Sequence, residues 1–344
     1  MDITFLVPCK DLAGGLKVVA AHANGLLRRG HNVRVVYPHR DLHWKENLRR
    51  QVKRKMNDEK DHLDYFKGEL IEVEEITPET VPKGDAIIAT AWQTAEWIKD
   101  YPENYGKKFY LIQHYETWSG EQEQVDKTFQ YPFQKIVISK WLQDVVGEVC
   151  GDKNLPLITN GKDFFFSESY GEGIERTFDV GMLYSRVKFK KSIDGIKALQ
   201  IVKKKKPNLK VIFFGSEFPK EEVFEDLTFF RRPPQDKIRD IYLSSRLWIS
   251  SSETEGFCLP ALESISLGCS FVGTDSLGIR DIIESGKSGI LVEPCKPELL
   301  AEKIIEVLDN AELEKSLRVE GLKKSDYFSW NKSSDLFEKL LLNS

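Results

Sequence analysis

Glu255 and Glu263 are separated by the seven residues Gly256 to Leu262, and this short stretch holds the most legible chemistry of the chain. A small-residue turn, Gly256-Phe257-Cys258, runs into Leu259-Pro260 where a helix is expected to open. The amino end of a helix presents backbone N–H groups without intrahelical partners, and the helix dipole adds positive potential there, so a phosphate binds well. Carboxylates flanking such a turn can accept hydrogen bonds from sugar hydroxyls. The expected ligand is a sugar joined to a diphosphate. The bare spacing is weak, because a surface Glu before a helix and another on its polar face would look the same. The residues between are more specific: Gly256 allows close backbone approach, Pro260 suits a first helical turn, and Leu259 and Leu262 supply an apolar anchoring face.

Other residues have types that suit the same ligand. Gly14 and Gly15 lie between an expected strand and an expected helix, where they either let backbone N–H groups approach a phosphate or simply make an ordinary turn. Arg186 and Lys191 lie between a strand ending at Leu183 and a helix starting at Ser192. A diphosphate leaving group gathers negative charge as its bond to the sugar breaks; Arg grips phosphate oxygens bidentately and Lys adds a point charge. With no D-x-D motif to hold a metal-bound diphosphate, these cations and a helix terminus are expected to replace the metal, and no cofactor is called for. Lysine abundance (Lys188, Lys190, Lys191 and Lys203 to Lys206) makes any single lysine here ambiguous by spacing alone. A dehydrogenase is disfavoured, because G-x-G-x-x-G is missing and the second strand ends in Tyr37-Pro38 rather than an acid placed for ribose.

Taken together, Glu255 to Glu263 with its GFxLP core resembles the signature of family 4 glycosyltransferases of the GT-B fold. Arg186 to Ser192 resembles the arginine–lysine segment of that family, with Ser192 where a glycine usually follows the lysine. Asn160-Gly161-Lys162-Asp163 resembles the NGxD passage, and Ser276 to Asp281 loosely resembles GGxxE, with Leu277 for the first glycine and Asp281 for Glu. The resemblance implies a retaining glycosyltransferase taking its sugar from a nucleotide diphosphate, first choice UDP-glucose. It implies that Glu263 holds the ribose hydroxyls, that Glu255 binds the donor sugar or steadies its positive charge, and that Phe257, Cys258 and Leu259 offer backbone N–H groups. The loop Arg231 to Pro234 falls in the base-binding neighbourhood. Cys258 also fits a plain buried small residue.

His114 follows an expected strand at the carboxyl end of the first sheet, where open α/β sheets place ligands. A lone His is more often structural, but the family commonly carries a polar residue there, so His114 is a candidate to contact donor sugar or position the acceptor hydroxyl. Tyr115, Glu116 and Trp118 would line the acceptor side or pack a loop.

A chain of 344 residues suits about two domains. A net charge of −4 predicts no general affinity for nucleic acid. Five cysteines without metal-ligand spacing, and no leader or long apolar run, read as reduced thiols in a cytoplasmic protein. Strands are expected at 3–7, 33–37, 86–89, 109–113 and 135–138, then again at 178–183, 210–214, 227–230, 247–250 and 270–273, alternating with helices. That alternation predicts an α/β chain of two doubly wound, Rossmann-like domains facing across a cleft. The expected division is 1–160, 161–325, and a C-terminal helix in 326–344 returning to the first domain. The segment Trp44 to Lys60 spaces Trp44, Leu48, Val52 and Met56 four apart among Arg49, Arg50, Lys53, Arg54 and Lys55. Such a basic amphipathic helix either lies peripherally on an anionic membrane or is a solvated excursion between strands. The acceptor is expected to be a glycan or lipid-linked glycan in bacterial envelope or extracellular polysaccharide assembly. A sugar-nucleotide-binding protein without transfer activity, and a UDP-sugar epimerase of similar design, are the alternatives.

Overall fold

The computed structural model describes residues 1–39, 60–162, 175–220 and 223–343. The Trp44–Lys60 segment therefore lies outside the described residues except for Lys60. The chain divides into two compact units, Met1–Gly161 with Trp330–Ser344, and Lys162–Ser329.

In the first unit, short apolar runs make strands because both faces of a parallel sheet are covered. Strands β1 (Asp2–Leu6), β2 (Asn32–Pro38), β3 (Glu69–Val73), β4 (Ala86–Ala89), β5 (Lys107–Ile112) and β6 (Gln134–Val137) form one parallel sheet in the order β3-β2-β1-β4-β5-β6. Helices α1 (Gly14–Leu27), α2 (Trp92–Ile98), α3 (Gln122–Phe129) and α4 (Lys140–Cys150) connect them. The order reverses between β1 and β4, so the loops following those strands open the crevice in which doubly wound sheets bind ligands.

The second unit repeats the arrangement. Its strands are β7 (Phe178–Tyr184), β8 (Val211–Gly215), β9 (Thr228–Arg231), β10 (Ser245–Ser250), β11 (Ser270–Thr274) and β12 (Ile290–Val292). They form a second parallel sheet in the order β12-β11-β10-β7-β8-β9, which is the same winding with its switch between β7 and β10. Helices α5 (Ser192–Lys205), α6 (Gln235–Leu243), α7 (Leu259–Ser266), α8 (Pro297–Asp309) and α9 (Ala311–Ser325) complete it. Val180, Met182, Phe213, Leu247, Ile249 and Val272 from the strands pack with Ile196, Leu199, Ile304 and Val307 in one core.

The last helix, α10 (Trp330–Leu342), belongs to the first unit. Its apolar side buries Trp330, Phe337 and Leu341. Phe337 packs against Phe5, and His22 of α1 lies tilted against Phe337 at 4.8 Å and edge-on to Trp330 at 5.2 Å. Helices α1 and α10 approach closely because Gly25 has no side chain: a Cβ there would lie 2.0 Å from the Ser334 hydroxyl. Arg29 pairs with Asp335, and His31 with Glu338 at 2.8 Å.

Two strands missing from the sequence reading, β3 and β12, lie at sheet edges; Glu69 and Glu72 interrupt the apolar pattern of β3, and β12 is only three residues long. Helix α3 was missed too, and only Val125, Thr128 and Phe129 of it are buried. Among the described residues no helix is long and apolar enough to cross a membrane.

Candidate functional site

Two loops leave the carboxyl ends of β7 and β10 side by side at the switch point of the second sheet. The first, residues 185–191, ends in a short 3-10 turn (Lys188–Lys190) and a left-handed residue, Lys191, with φ 46°. The Ser192 hydroxyl accepts the Ser185 N–H at 2.9 Å and ties the two ends of the loop together, which a glycine could not do. The second loop, residues 251–258, is stitched to the first. Glu253 N–H donates to the Phe189 carbonyl at 2.7 Å, and the Ser251 hydroxyl donates to the Lys191 carbonyl at 2.9 Å.

Glu255 sits in this junction with 6% of its surface exposed. Its carboxylate accepts Lys190 Nζ at 2.7 Å on Oε1 and 2.8 Å on Oε2, and the Ser252 hydroxyl at 2.6 Å on Oε1. Burial alone would lower the Lys190 pKa, but the Glu255 charge, with Cys258 beyond it, more than offsets this and holds the ammonium above the usual lysine value. Behind Glu255, the segment 276–278 clamps the backbone: Glu255 N–H donates to the Ser276 carbonyl at 2.9 Å and its carbonyl accepts Gly278 N–H at 3.2 Å. Leu277 adopts φ 67°, a conformation costly for a side-chain-bearing residue, at the position where the family resemblance puts a glycine. Gly278 is required by contact, since a Cβ there would lie 2.3 Å from the Gly256 carbonyl oxygen.

Helix α7 starts directly after this loop. Cys258 precedes it in the left-handed region at φ 74°, and Pro260 occupies the first turn. The Cys258 thiol is 4% exposed and pushed up to about 12 by burial, with the Glu255 charge adding to the effect. It is a neutral thiol near pH 7 and no nucleophile. Phe257 anchors the turn edge-on against Phe328, 5.6 Å away. Leu259 is half-buried at the first helical position. Glu263, one turn on, is 7% exposed and accepts the Tyr242 hydroxyl at 3.0 Å. Burial and the Glu263 charge hold that hydroxyl far above the tyrosine range, so it remains a donor. A narrow cavity of about 20 Å³, room for one water molecule, is lined by Lys190, Ser250, Ser252, Glu255, Cys258 and Pro260 among others.

The remaining cations reach elsewhere. Arg186 pairs with Glu217 at 3.0 Å and donates to the Phe218 carbonyl at 2.8 Å. Lys191 pairs with Glu253 at 3.0 Å, which raises its pKa. Both pairs are substantially exposed, so solvent screens them and another anion can displace the carboxylates. Sequence reasoning missed Lys190, Ser252 and Tyr242. Lys190 is one of three lysines in four residues, and only the left-handed turn at Lys191 decides which of them faces inward.

In the first unit, Gly14 and Gly15 open α1 after the loop from β1. A Cβ at Gly14 would meet nothing within 4 Å, whereas one at Gly15 would lie 3.3 Å from the Gln113 amide. His114 follows β5, with Nδ1 3.2 Å from the Tyr115 carbonyl and its ring edge-on to Trp118 at 4.4 Å and Trp141 at 5.9 Å. Beside it Glu116 accepts Trp92 N–H at 2.9 Å, and its carboxyl is pushed up to about 7 by burial, which that hydrogen bond only partly offsets. Asn160 is buried and Lys162 pairs with Asp326 at 2.6 Å; Asp163 lies outside the described residues.

Two Rossmann-like units with this winding define a GT-B fold, and solved structures similar to this chain are GT-B glycosyltransferases. Residues 171–324, nearly all of the second unit, match the family model Glycosyl transferases group 1. Among curated proteins, the chain is 27% identical over 206 residues to an uncharacterized glycosyltransferase of Methanocaldococcus jannaschii, covering 57% of this chain and 56% of that protein. It is 26% identical over 148 residues to the poly(glycerol-phosphate) alpha-glucosyltransferase of Bacillus subtilis, covering 41% of this chain and 22% of that enzyme. The chain thus spans about half the length of the first relative and less of the second. Among solved structures, Anabaena Alr3699/HepE in complex with UDP-glucose superposes with a TM-score of 0.79 at 16% identity over 100% of both chains. Sucrose-phosphate synthase of Thermosynechococcus elongatus does so with a TM-score of 0.75 at 14% identity, again over 100% of both.

Proposed function

We propose that this protein is a retaining, metal-independent glycosyltransferase that moves a hexose, glucose as first choice, from a UDP-sugar to an acceptor hydroxyl. The observation that carries the reading is the junction at the carboxyl end of β10. Two nearly buried carboxylates, Glu255 and Glu263, flank the amino end of α7, each held by a specific donor from another element. A polar side chain is buried at such cost, and given specific partners, where it has an ordered job. Glu263 would take the ribose hydroxyls, Glu255 the donor sugar, and the N–H groups of Phe257, Cys258 and Leu259 the donor. Arg186 and Lys191 would exchange their exposed carboxylate partners for the diphosphate as the leaving group gains charge. In a front-face displacement, the departing phosphate would accept the acceptor proton as the new bond forms. Gly14, Gly15 and His114 would serve the same reaction from the first unit, His114 by contacting the sugar or positioning the acceptor. A glycan or lipid-linked glycan in envelope or extracellular polysaccharide assembly is the acceptor we favour, with the protein cytoplasmic or at the inner membrane face.

A thermal-shift panel of UDP-, GDP- and ADP-sugars, followed by turnover assays on lipid-linked acceptors, tests this. UDP-glucose should raise the melting temperature and be consumed, since a ligand that binds only the native state stabilises it. Glu263→Ala should weaken UDP binding about tenfold or more, the loss of one or two charge-assisted hydrogen bonds. Glu255→Ala should lower turnover more than UDP affinity. Binding without turnover on a broad panel would show a sugar-nucleotide sensor instead, and interconversion of free UDP-sugars an epimerase. No shift with any sugar nucleotide would end the reading.

A further inference from the structure

We propose that Lys190 is a positioning residue for Glu255, keeping that carboxylate ionised and aimed at the cavity beside α7. The inference rests on the donor-sugar role proposed for Glu255 and adds a residue to it. Lys190 spans both carboxylate oxygens at 2.7 and 2.8 Å, a symmetric grip that fixes the plane of the carboxylate as well as its position. The other constraints are just as specific. Ser252 holds Oε1, while Ser276 and Gly278 hold the Glu255 backbone from the opposite side. Lys190 is itself tied down, because its carbonyl accepts the Ser251 hydroxyl at 3.3 Å and the neighbouring Phe189 carbonyl accepts Glu253 N–H. Lysine and glutamate are thus presented to each other by two loops whose backbones are hydrogen-bonded together, which an incidental surface contact does not require.

The chemistry explains why such a cation would be kept. A carboxylate this buried favours its neutral form unless a counter-charge is present. Once protonated, Glu255 would donate where it should accept from a sugar hydroxyl, and it would offer no charge to a sugar ring becoming positive as the diphosphate leaves. Titratable groups facing Glu255 include Lys190 and the neutral thiol of Cys258, while Glu253 on the same loop turns to Lys191. Lys190 supplies an opposing charge in direct contact with both carboxylate oxygens. Lys191, by contrast, lies at the exposed rim, so adjacent lysines hold separate roles: one sets the state of a carboxylate and the other is available to phosphate.

The test uses the full chain with Lys190→Met, Lys190→Arg and Glu255→Gln, each checked for a native circular dichroism spectrum and a cooperative melt. For Lys190→Met we expect kcat for UDP-glucose turnover to fall at least about tenfold while the UDP Kd changes less than about threefold. The acid limb of kcat/KM should move up by about one pH unit or more, the effect of losing an adjacent opposite charge. Lys190→Arg should restore the limb. In the Glu255→Gln background, adding Lys190→Met should cost little further rate. An unmoved acid limb in Lys190→Met, or a loss of UDP affinity matching the loss of rate, overturns the positioning role, the latter in favour of a phosphate contact. If the wild-type chain turns over no UDP-sugar, the function proposed above has failed instead. Carbon-13 titration of the labelled glutamates then decides the Lys190 inference alone: the Glu255 resonance must protonate at higher pH in Lys190→Met, and an unchanged titration rejects it.

Discussion

Glu255 owes its geometry to residues that carry no charge. Gly278 lets the 276–278 segment lie against the Glu255–Gly256 backbone, and Leu277 accepts a left-handed conformation to bring it there. A methyl group at position 278 meets two backbone oxygens, at 2.3 and 2.5 Å, and backbone cannot swing aside as a flexible side chain can. Gly278→Ala should therefore destabilise the second unit by about 2 kcal/mol or more and push the Glu255 loop out of register with Lys190. A urea melt with a UDP-binding measurement checks this. Undiminished stability with undiminished UDP affinity would show that the clamp does not hold the loop. Ser192 is the opposite case, a substitution for the usual glycine that adds a bond, through its acceptance of the Ser185 N–H.

Among the elements of the first unit, α1 packs closely on α10. His22 is fully buried there with neither ring nitrogen hydrogen-bonded, and burial lowers its pKa to about 3. The sign follows directly. In the unfolded chain His22 takes a proton below about pH 6.5, whereas the folded protein holds it neutral until about pH 3. Its contribution is thus fully present above about pH 6.5 and is lost as pH falls toward 3, by up to about 1.4 kcal/mol per pH unit. His22→Leu keeps the ring's contacts with Trp330 and Phe337 approximately filled while removing the titration. Its stability should fall less steeply than that of the wild type between pH 6.5 and 4, as followed by melting temperature. Parallel curves for the two proteins would place the acid sensitivity elsewhere. Glu116, pushed up to about 7, works in the other direction, since its contribution is lost as pH rises through 7.

For the whole molecule, a net charge of −4 gives no overall attraction to an anionic surface, so any membrane contact must be local. The segment Trp44–Lys60, outside the described residues except for Lys60, is where such a contact is proposed, because its sequence sets Arg49, Arg50, Lys53, Arg54 and Lys55 among apolar residues spaced four apart. Binding to vesicles containing anionic lipid should weaken steeply with salt and drop at least about tenfold on reversing the charges of Arg49, Arg50 and Lys53, since each basic residue near the surface contributes about 1 kcal/mol. Equal binding by the reversed variant would be evidence for a solvated excursion.

The doubly wound class and every interior strand were legible in the chain, because a strand buried on both faces needs an unbroken apolar run such as Ala86–Ala89 or Val211–Gly215. The Glu255–Glu263 stretch was legible for a related reason: turn, proline and apolar anchor are local features that a short segment displays by itself. Strands β3 and β12 were not, although the other two edge strands, β6 and β9, were: Glu69 and Glu72 interrupt β3, and β12 is only three residues long. Which lysine meets Glu255, and that Tyr242 meets Glu263, depended on contacts across 65 and 21 residues of chain. Spacing encodes what lies on one element, whereas the choice among Lys188, Lys190 and Lys191 was made by a backbone turn whose conformation only the packed loops enforce.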